Sequence, residues 1–232
     1  MMARIDKSAL TKTEIIQVAC KMFLDKGYSA TTAKAICADL GMSTGNLTFH
    51  YPTKEHLLTV LVDLLCSFQW DTMKKETDEG ITNIMAVCLE LAAMAVICEE
   101  DSVAKDFYLS AYTSPIALDA IRKNDRERAK TVFAEHCKGW TEEQFAEAEV
   151  LVSGIEYATL MTTESSAPLE RRIKGAVRAI LTVYNVPPEI REVKIKKLFS
   201  MDYRGIARNM FTDFKKYVSD ANENALLSLL KR

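Results

Sequence analysis

The chain has 232 residues, of which 48% are hydrophobic and 27% charged. That is enough apolar material for one large domain or two small ones, so disorder over most of the length is excluded. Eight glycines and five prolines are few for this length, and such a chain favours long helices over a many-stranded sandwich or barrel. The net charge of −2 excludes a protein that coats nucleic acid by bulk charge, but residues 1–60 hold seven basic against five acidic residues, which leaves room for a local basic surface.

The six cysteines form no Cys-x-x-Cys pair, and most lie in apolar helical stretches. We therefore expect buried free thiols in a protein of the reducing cytoplasm. No apolar run precedes a small-residue cleavage site near the N-terminus, so no signal peptide is expected. The longest apolar stretch, residues 84–98, contains Glu90 and is shorter than the ~20 residues that a membrane span needs. It favours a buried core helix.

The first predicted helix begins at a capping box formed by Thr11 and Glu14, in which each side chain satisfies a backbone N–H of the other residue. Apolar residues then recur at the spacing of one helix face. Gly27 marks the end of this helix, because glycine accepts the left-handed conformation that closes many helices.

Two short helices are predicted to follow. Thr32 caps the second helix, which ends at Gly41, and Ser43 caps the third, which runs to about His50. Pro52 breaks that helix.

The rest of the chain reads as helix almost throughout. Thr53 is predicted to cap a long fourth helix that turns its leucines inward. Beyond it, the apolar periodicity predicts helices over residues 81–100, 102–113, 115–138, 141–163, 168–185, 188–200 and 202–220. The sequence thus predicts an all-α fold without repeats or strands.

The second and third helices, joined by the tight turn Gly41-Met42-Ser43, form a helix-turn-helix candidate. In that motif the second short helix enters the major groove of DNA, which is wide enough for one α-helix. With Met42 and Leu47 facing the core, the residues left outward carry no carboxylate that DNA would repel. These residues are Thr44, Gly45, Asn46, Thr48, Phe49 and His50.

Three of these residues have a specific use against bases. The Asn46 amide both donates and accepts, so it could read a base edge or hold a phosphate. Gly45 lets the helix backbone come close to the DNA, and Phe49 could contact a thymine methyl group.

Other residues suit the phosphates. Thr32 and Ser43 stand at helix starts, where free backbone N–H groups favour a phosphate oxygen. Lys54, in the first turn of the fourth helix, would place a cation beside the same groove. Packing alone could produce the same periodicity, so the pattern by itself does not decide the function.

The segment from Thr11 to Leu58 resembles the DNA-binding domain of TetR-family transcriptional regulators. The family's motif elements occur here in order and without a gap: Gly27-Tyr28, Thr31-Thr32, Ile36, Gly41-Met42-Ser43, Gly45-Asn46-Leu47, Phe49-His50-Tyr51, Lys54-Glu55 and Leu57-Leu58. By this resemblance, Lys34 matches a frequently basic DNA-contacting position, and we expect His50 at the groove or a phosphate. Thr48 stands where the family commonly has a phosphate-binding tyrosine, so that contact is altered here. Cys37 replaces a usual alanine with little change in size.

The resemblance also implies a division of the chain. Residues 1–56 would form the helix-turn-helix DNA-binding domain, and residues 57–232 a larger helical domain for effector binding and dimerisation. A small-molecule effector would sit between helices of the second domain. Tyr108, Tyr112 and Tyr157 are the candidates to line its pocket, because a buried tyrosine hydroxyl needs a partner that a ligand could supply.

Dimerisation is the family's rule and is expected here. The candidate helices are those over residues 141–163 and 168–185. On the first of them, Phe145, Val152 and Ile155 lie on one side and are predicted to form the interface.

The sequence therefore predicts a ligand-responsive regulator: a repressor that binds a palindromic DNA operator as a homodimer and is released by a small molecule. The alternatives are a helical small-molecule-binding module or enzyme without operator binding, and a regulator controlled by a protein partner. No catalytic motif, cofactor motif or metal-ligand spacing is apparent, since the adjacent His136 and Cys137 do not share a helix face. We expect no enzyme activity, no cofactor and no membrane association.

Overall fold

The computed structural model describes residues 6–77 and 84–230, which contain eleven helices and no strand. The helices are α1 (Lys7–Lys26), α2 (Ala33–Leu40), α3 (Thr44–His50), α4 (Lys54–Thr77), α5 (Ile84–Glu100), α6 (Ser102–Thr113), α7 (Pro115–Val132), α8 (Glu142–Leu160), α9 (Leu169–Val183), α10 (Pro188–Ser200) and α11 (Tyr203–Leu230). The all-α prediction is confirmed. We call α1–α3 the head and α5–α11 the body; α4 contacts both.

The helix caps that the sequence predicts at Gly27, Thr32 and Gly41 are present in the head. Gly27 closes α1 at φ +95°, and Gly41 closes α2 in the left-handed region at φ +62°. The Thr32 hydroxyl accepts a hydrogen bond from the Ala35 backbone at 3.1 Å and so starts α2. These turns allow α1, α2, α3 and the start of α4 to pack around one apolar core. Its buried members include Ile15, Phe23, Ile36, Leu47 and Leu58.

The start of α1 is not where the sequence predicts it. The helix begins at Lys7, because Asp6 Oδ1 accepts hydrogen bonds from the backbones of Ser8 and Ala9 at 3.0 and 3.1 Å. Thr11 therefore lies inside the helix, and the predicted capping box with Glu14 is wrong. An aspartate caps as well as a threonine does, and the earlier cap extends the helix.

α5 is the centre of the body. Of its 17 residues, 14 are buried, which is the mark of a helix enclosed on all sides. It packs against α4, α6, α8, α9, α10 and α11. The prediction of a core helix over residues 84–98 is confirmed.

Two predicted boundaries in the body are wrong. α7 ends at Val132 because the chain turns at Phe133, whose carbonyl accepts from the backbones of both His136 and Cys137. The turn places the Phe133 ring flat against the Tyr184 ring, with centroids 4.0 Å apart. α11 continues to Leu230 rather than ending near residue 220. It packs along α1, α4 and α5, and such tertiary contacts stabilise a helix beyond what its own sequence supports.

α8 has one buried and one exposed face, and the residues predicted to form the interface lie on the buried one. Phe145 and Val152 are buried within the subunit, and Ile155 is partly buried. These side chains pack against the chain's own helices, since α8 contacts α5, α6, α7 and α9. The opposite face exposes a different set of apolar or small residues: Val150, Leu151, Gly154, Ala158 and Met161.

The cysteines fit the expectation of buried free thiols. All six are free; Cys66 is half-buried and the other five are buried. Within residues 6–77 and 84–230, no helix has both the length and the apolar character needed to cross a lipid bilayer.

Candidate nucleic-acid interface and internal cavities

α3 is fixed at both ends and on its inner side. At its start the Ser43 hydroxyl accepts from the Asn46 backbone at 3.2 Å, and at its end the Tyr51 backbone donates to the Leu47 carbonyl at 2.8 Å. The Leu47 side chain, 2% exposed, anchors the helix in the head core. The helix therefore presents a defined outer face.

That outer face carries the residues predicted to read DNA. Thr44, Gly45, Asn46, Thr48 and Phe49 are all exposed, and the Phe49 ring is 80% exposed. An apolar ring this far in water costs free energy in the isolated protein, and a partner that covers it recovers that cost. The face carries no carboxylate, so it can approach an anionic backbone.

The cap hydroxyls keep a donor for a phosphate. Thr32 and Ser43 are exposed, and each hydroxyl oxygen accepts from its own helix start, at Ala35 and Asn46. Each O–H hydrogen can then point outward. Lys34 is exposed in the first turn of α2 and adds a cation on the same side as the N-terminal N–H groups of that helix.

The side chains of Thr48 and His50 are less available to contact DNA than those of the other residues predicted on α3. The Thr48 hydroxyl donates to the Gly45 carbonyl at 3.2 Å, so it must leave that bond before it can donate to a phosphate. His50 is half-buried and its ring meets that of Phe49 edge-on, with centroids 5.1 Å apart. Its Nδ1 is buried and has no hydrogen-bond partner among the described residues.

Lys54, predicted to place a cation beside the groove, makes contacts within the head. Its ammonium donates to the carbonyls of Tyr28 and Thr31 at 2.9 and 3.0 Å. It also lies 3.8 Å from the centre of the Tyr28 ring. Desolvation lowers the pKa of Lys54 from its ordinary value. Its position ties α4 to the turn between α1 and α2, and a contact with DNA stays a prediction.

The body reaches the same turn through Asp106 of α6. The Ser29 backbone donates to Asp106 Oδ2 at 2.8 Å, and the Ser29 hydroxyl donates to Asp106 Oδ1. Gly27 makes room for this carboxylate, because a Cβ at Gly27 would stand 2.8 Å from Asp106 Oδ2. We call this contact the Asp106–Ser29 latch.

Two of the three tyrosines predicted at an effector pocket line one small internal cavity of about 20 Å³. The Tyr108 hydroxyl accepts from Gln69 Nε2 at 3.1 Å, and the Tyr112 hydroxyl donates to Glu156 Oε2 at 2.9 Å. Tyr157 is half-buried and does not line this cavity. A wider, open groove of about 550 Å³ lies on the surface between α9 and α10 and contains none of the three tyrosines.

Buried and half-buried charged side chains line this cavity and a neighbouring one of similar size, and sequence analysis missed them as a group. Arg128 Nη1 lies 3.0 Å from Glu90 Oε2, and Arg128 Nη2 lies 2.7 Å from Asp125 Oδ1. Glu149 and Glu156 stand seven residues apart on the buried face of α8. We call Glu90, Asp125, Glu149 and Glu156 with Arg128 the buried carboxylate cluster.

Burial and the charges within the cluster shift the pKa values of its members. Desolvation, reinforced by Asp125, raises the pKa of Glu149 to about 8 and that of Glu156 well above the ordinary value for glutamate. Burial also raises the pKa of Glu90 and of Asp125. For Arg128, burial acts in the opposite direction, but Glu90 and Asp125 hold its pKa above the ordinary value.

The sequence contains part of the information needed to predict this cluster. Glu90 in an apolar run and two glutamates on an apolar helix face each predict a buried acid that needs a partner. Only the fold brings α5, α7 and α8 together. Within the described residues, no group of three or more histidine, cysteine, aspartate or glutamate side chains has the arrangement of a metal site.

A capped, exposed helix that follows a left-handed glycine turn is the arrangement of the helix-turn-helix motif, whose second helix enters the major groove in DNA-binding proteins. Residues 15–61 match the family model described as bacterial regulatory proteins, tetR family. This segment is therefore similar to the DNA-binding domain of TetR-family transcriptional regulators, as its motifs predicted.

Two curated relatives each match a part of the chain. The HTH-type transcriptional regulator QacR of Staphylococcus aureus is 36% identical over 72 residues, which cover 31% of this chain and 38% of QacR. The HTH-type transcriptional repressor KstR2 of Mycolicibacterium smegmatis is 38% identical over 58 residues, which cover 25% of this chain and 28% of KstR2. The matched part spans less than two fifths of either relative.

Solved structures of the family are more distant. Full-length TylP, a TetR regulator from Streptomyces fradiae, has 16% identity and a TM-score of 0.45 over 85% of this chain and 94% of TylP. The TetR-family protein CprB from Streptomyces coelicolor, solved with its biological operator sequence, has 20% identity and a TM-score of 0.43 over 84% of this chain and 97% of CprB.

Proposed function

We propose that this protein is a ligand-responsive transcriptional regulator, a repressor that binds a palindromic operator as a homodimer and is released by a small molecule. The observation that supports DNA binding best is the outer face of α3. It combines an exposed amide, an exposed aromatic ring and no carboxylate on a helix held by its cap and by Leu47. Asn46, Phe49 and Thr44 would contact base edges, and Thr32, Lys34 and Ser43 would contact phosphates.

The two domains are proposed to meet within α4. Residues 1–56 would hold the operator, and residues 57–232 would hold the effector and the partner subunit. Because α4 begins at Lys54 and continues to Thr77, a tilt of this helix would move the head relative to the body.

The exposed face of α8 is the proposed dimer interface. Val150, Leu151 and Met161 are 51%, 53% and 46% exposed, and Gly154 with Ala158 between them would let a second copy of α8 approach closely. Exposed apolar side chains in a continuous stripe mark interaction surfaces.

The effector is proposed to bind beside Tyr108 and Tyr112. For the protein to act as a switch, the effector must bind one conformation better than the conformation that fits the operator. The cavity there lies on α6, which also holds the Asp106–Ser29 latch. Tyr157 is assigned to the pocket by the sequence alone.

The test is selection of bound sequences from random double-stranded DNA. We expect a palindromic consensus, and affinity should fall by ~10³–10⁵ between about 50 and 200 mM salt if a dimer neutralises ~6–10 phosphates. The triple variant Thr44→Ala, Asn46→Ala, Phe49→Ala should change the selected sequence, while Thr113→Ala, an exposed threonine of α6, should not.

The outcomes separate the classes. A consensus that the triple variant leaves unchanged would remove α3 from its reading role. If no sequence is enriched at any salt concentration, the alternative of a small-molecule-binding module or enzyme without operator binding is favoured.

A further inference from the structure

We propose that the C-terminal helix α11 is a clasp that holds the head in one orientation on the body and so fixes the spacing between the two half-sites of an operator. This inference rests on the proposed function, because half-site spacing has a meaning only for a dimer that binds DNA. It follows from the contacts that α11 makes with the body at one end and with α1 further along.

The first half of α11 is anchored on the body. Arg208 Nε lies 3.0 Å from Glu100 Oε2 at the end of α5. The Phe214 ring, 1% exposed, packs against Phe68 of α4 and Phe107 of α6, with ring centroids 5.4 and 6.2 Å apart. Buried aromatic rings at such separations attract one another and hold the three helices together. This part of α11 therefore moves with the body.

Further along, α11 packs against α1 of the head. Lys215 Nζ lies 3.9 Å from Asp25 Oδ1. Asn222, 6% exposed, meets the buried Cys20 thiol: burial raises the pKa of that thiol to about 12, and the hydrogen bond with Asn222 acts in the opposite direction. These contacts move toward the C-terminus on α11 and toward the N-terminus on α1, so the two helices lie antiparallel, side by side.

α1 has a buried stripe for this contact. Ile16, Cys20 and Leu24 recur at four-residue spacing and are all buried, so they lie on one side of the helix. Cys20, the middle residue, faces α11 through Asn222. Exposing two large apolar side chains of this stripe to water is unfavourable, and α11 therefore holds the head as well as contacting it.

α11 restricts the joint that α4 provides. α4 continues from the head into the body, and its tilt would move the head. Residues 206–230 of α11 contain no proline or glycine, at which helices commonly kink. α1 can then tilt only if it slides along α11 or separates from it. In a dimer the two α3 helices would be held at one separation, which matches one spacing of half-sites.

The experiment compares Asn222→Lys with Asn224→Lys, which places the same charge on the exposed side of α11. Asn222→Lys puts an unpaired charge against Cys20 and should separate this part of α11 from α1. Both variants change the net charge equally, so a general effect of charge on DNA binding is matched. Amide hydrogen exchange across residues 16–24 should be about tenfold faster or more in Asn222→Lys, and unchanged in Asn224→Lys and in α5 of both variants.

Selection from random double-stranded DNA gives the second readout. Wild type and Asn224→Lys should select one spacing between half-sites. Asn222→Lys should select several spacings with the same half-site sequence, because the outer face of α3 is unchanged. Weaker binding at the one wild-type spacing would indicate a purely structural role for Asn222 and contradict the clasp.

Exchange across residues 16–24 that Asn222→Lys leaves at the wild-type rate would also overturn the proposal. If Asn222→Lys does not fold by circular dichroism, Asn222→Ala is compared with Asn224→Ala by the same two measurements, and the same outcomes decide. Faster exchange in α1 without any DNA sequence selected by the wild type would support the hold of α11 on the head and contradict the regulator. A selected operator with unchanged exchange would contradict the clasp alone.

Discussion

At the scale of single residues, the two lysines predicted to contact DNA from the head have different surroundings. Lys34 is exposed on α2, whereas the Lys54 ammonium is shared between the Tyr28 and Thr31 carbonyls and the Tyr28 ring. A cation held in this way orients the turn before α2 as well as adding charge. Removing either lysine should therefore weaken DNA binding for different reasons.

Lys54→Met should lower the free energy of unfolding by about 1–2 kcal/mol, because two carbonyls lose a charged donor. Lys34→Met should leave stability unchanged and reduce the salt slope of DNA binding by about one unit. Urea unfolding and binding at several salt concentrations measure both. A Lys54→Met variant with wild-type stability and a reduced salt slope would show instead that Lys54 acts as a simple phosphate contact.

Sequence predicts the residues whose partners are near in the chain. Thr32, Gly41 and Ser43 were placed correctly because each cap acts within three or four residues. The partners of Lys54 lie 23 and 26 residues away, and Ser29 lies 77 residues from Asp106. No local pattern encodes such pairs, so these roles emerge only when the helices pack.

At the scale of helices, α6 connects the two proposed sites. Tyr108 and Tyr112 face the internal cavity from α6, and Asp106, about half a turn before Tyr108, holds the turn between α1 and α2. A displacement of α6 by an effector would therefore act directly on the head. A substitution in the Asp106–Ser29 latch would break this connection without changing a residue of either site.

Asp106→Ala should free the 27–33 turn while leaving the body folded. The Ser29 N–H loses its acceptor, so amide hydrogen exchange should be faster across the turn and unchanged in α5. Asp106→Asn, which keeps one carbonyl oxygen, should show a smaller effect. Wild-type exchange rates at Ser29 in Asp106→Ala would mean that the latch does not restrain the head.

Some helix boundaries could not be predicted from the sequence, because contacts between distant parts of the chain determine them. The first helix is capped by Asp6 rather than by Thr11, because two acceptable caps compete and only the fold selects one. α7 stops at Val132 because the chain turns at Phe133, whose ring packs on Tyr184 at the end of α9. On α8, apolar residues occupy both faces, so periodicity could not say which face meets the chain's own core.

At the scale of the whole molecule, the buried carboxylate cluster places four acids and one guanidinium at the centre of the body. Such a cluster costs stability whenever its acids ionise without partners. The raised pKa values of Glu149 and Glu156 mean that the folded state binds protons more tightly than the unfolded state. Stability then depends on pH in a definite direction.

We expect stability to fall as pH rises from about 5 to 8. A raised folded-state pKa gives a contribution that is fully present below the unfolded value, 4.5 for glutamate, and is lost as pH rises through the folded value of about 8 for Glu149. The slope is at most about 1.4 kcal/mol per pH unit for each carboxylate. Glu149→Gln should flatten the curve of melting temperature against pH and Glu135→Gln should not. Stability that rises with pH in this range would contradict the assignment.

The proposed function requires the subunit to assemble into a dimer. A monomer presents one α3, whereas a palindromic operator needs two, set about 34–36 Å apart or a multiple of that distance. Leu151 and Val152 are neighbours on α8, but Leu151 is 53% exposed on the proposed interface and Val152 is 4% exposed in the subunit core. Leu151→Glu should give a folded monomer with greatly weakened operator binding, because a charge at the interface repels its copy. Val152→Glu should unfold the body, because it buries an unpaired charge. Light scattering and circular dichroism separate the two results, and a Leu151→Glu variant that remains a dimer with full operator binding would move the interface to another surface.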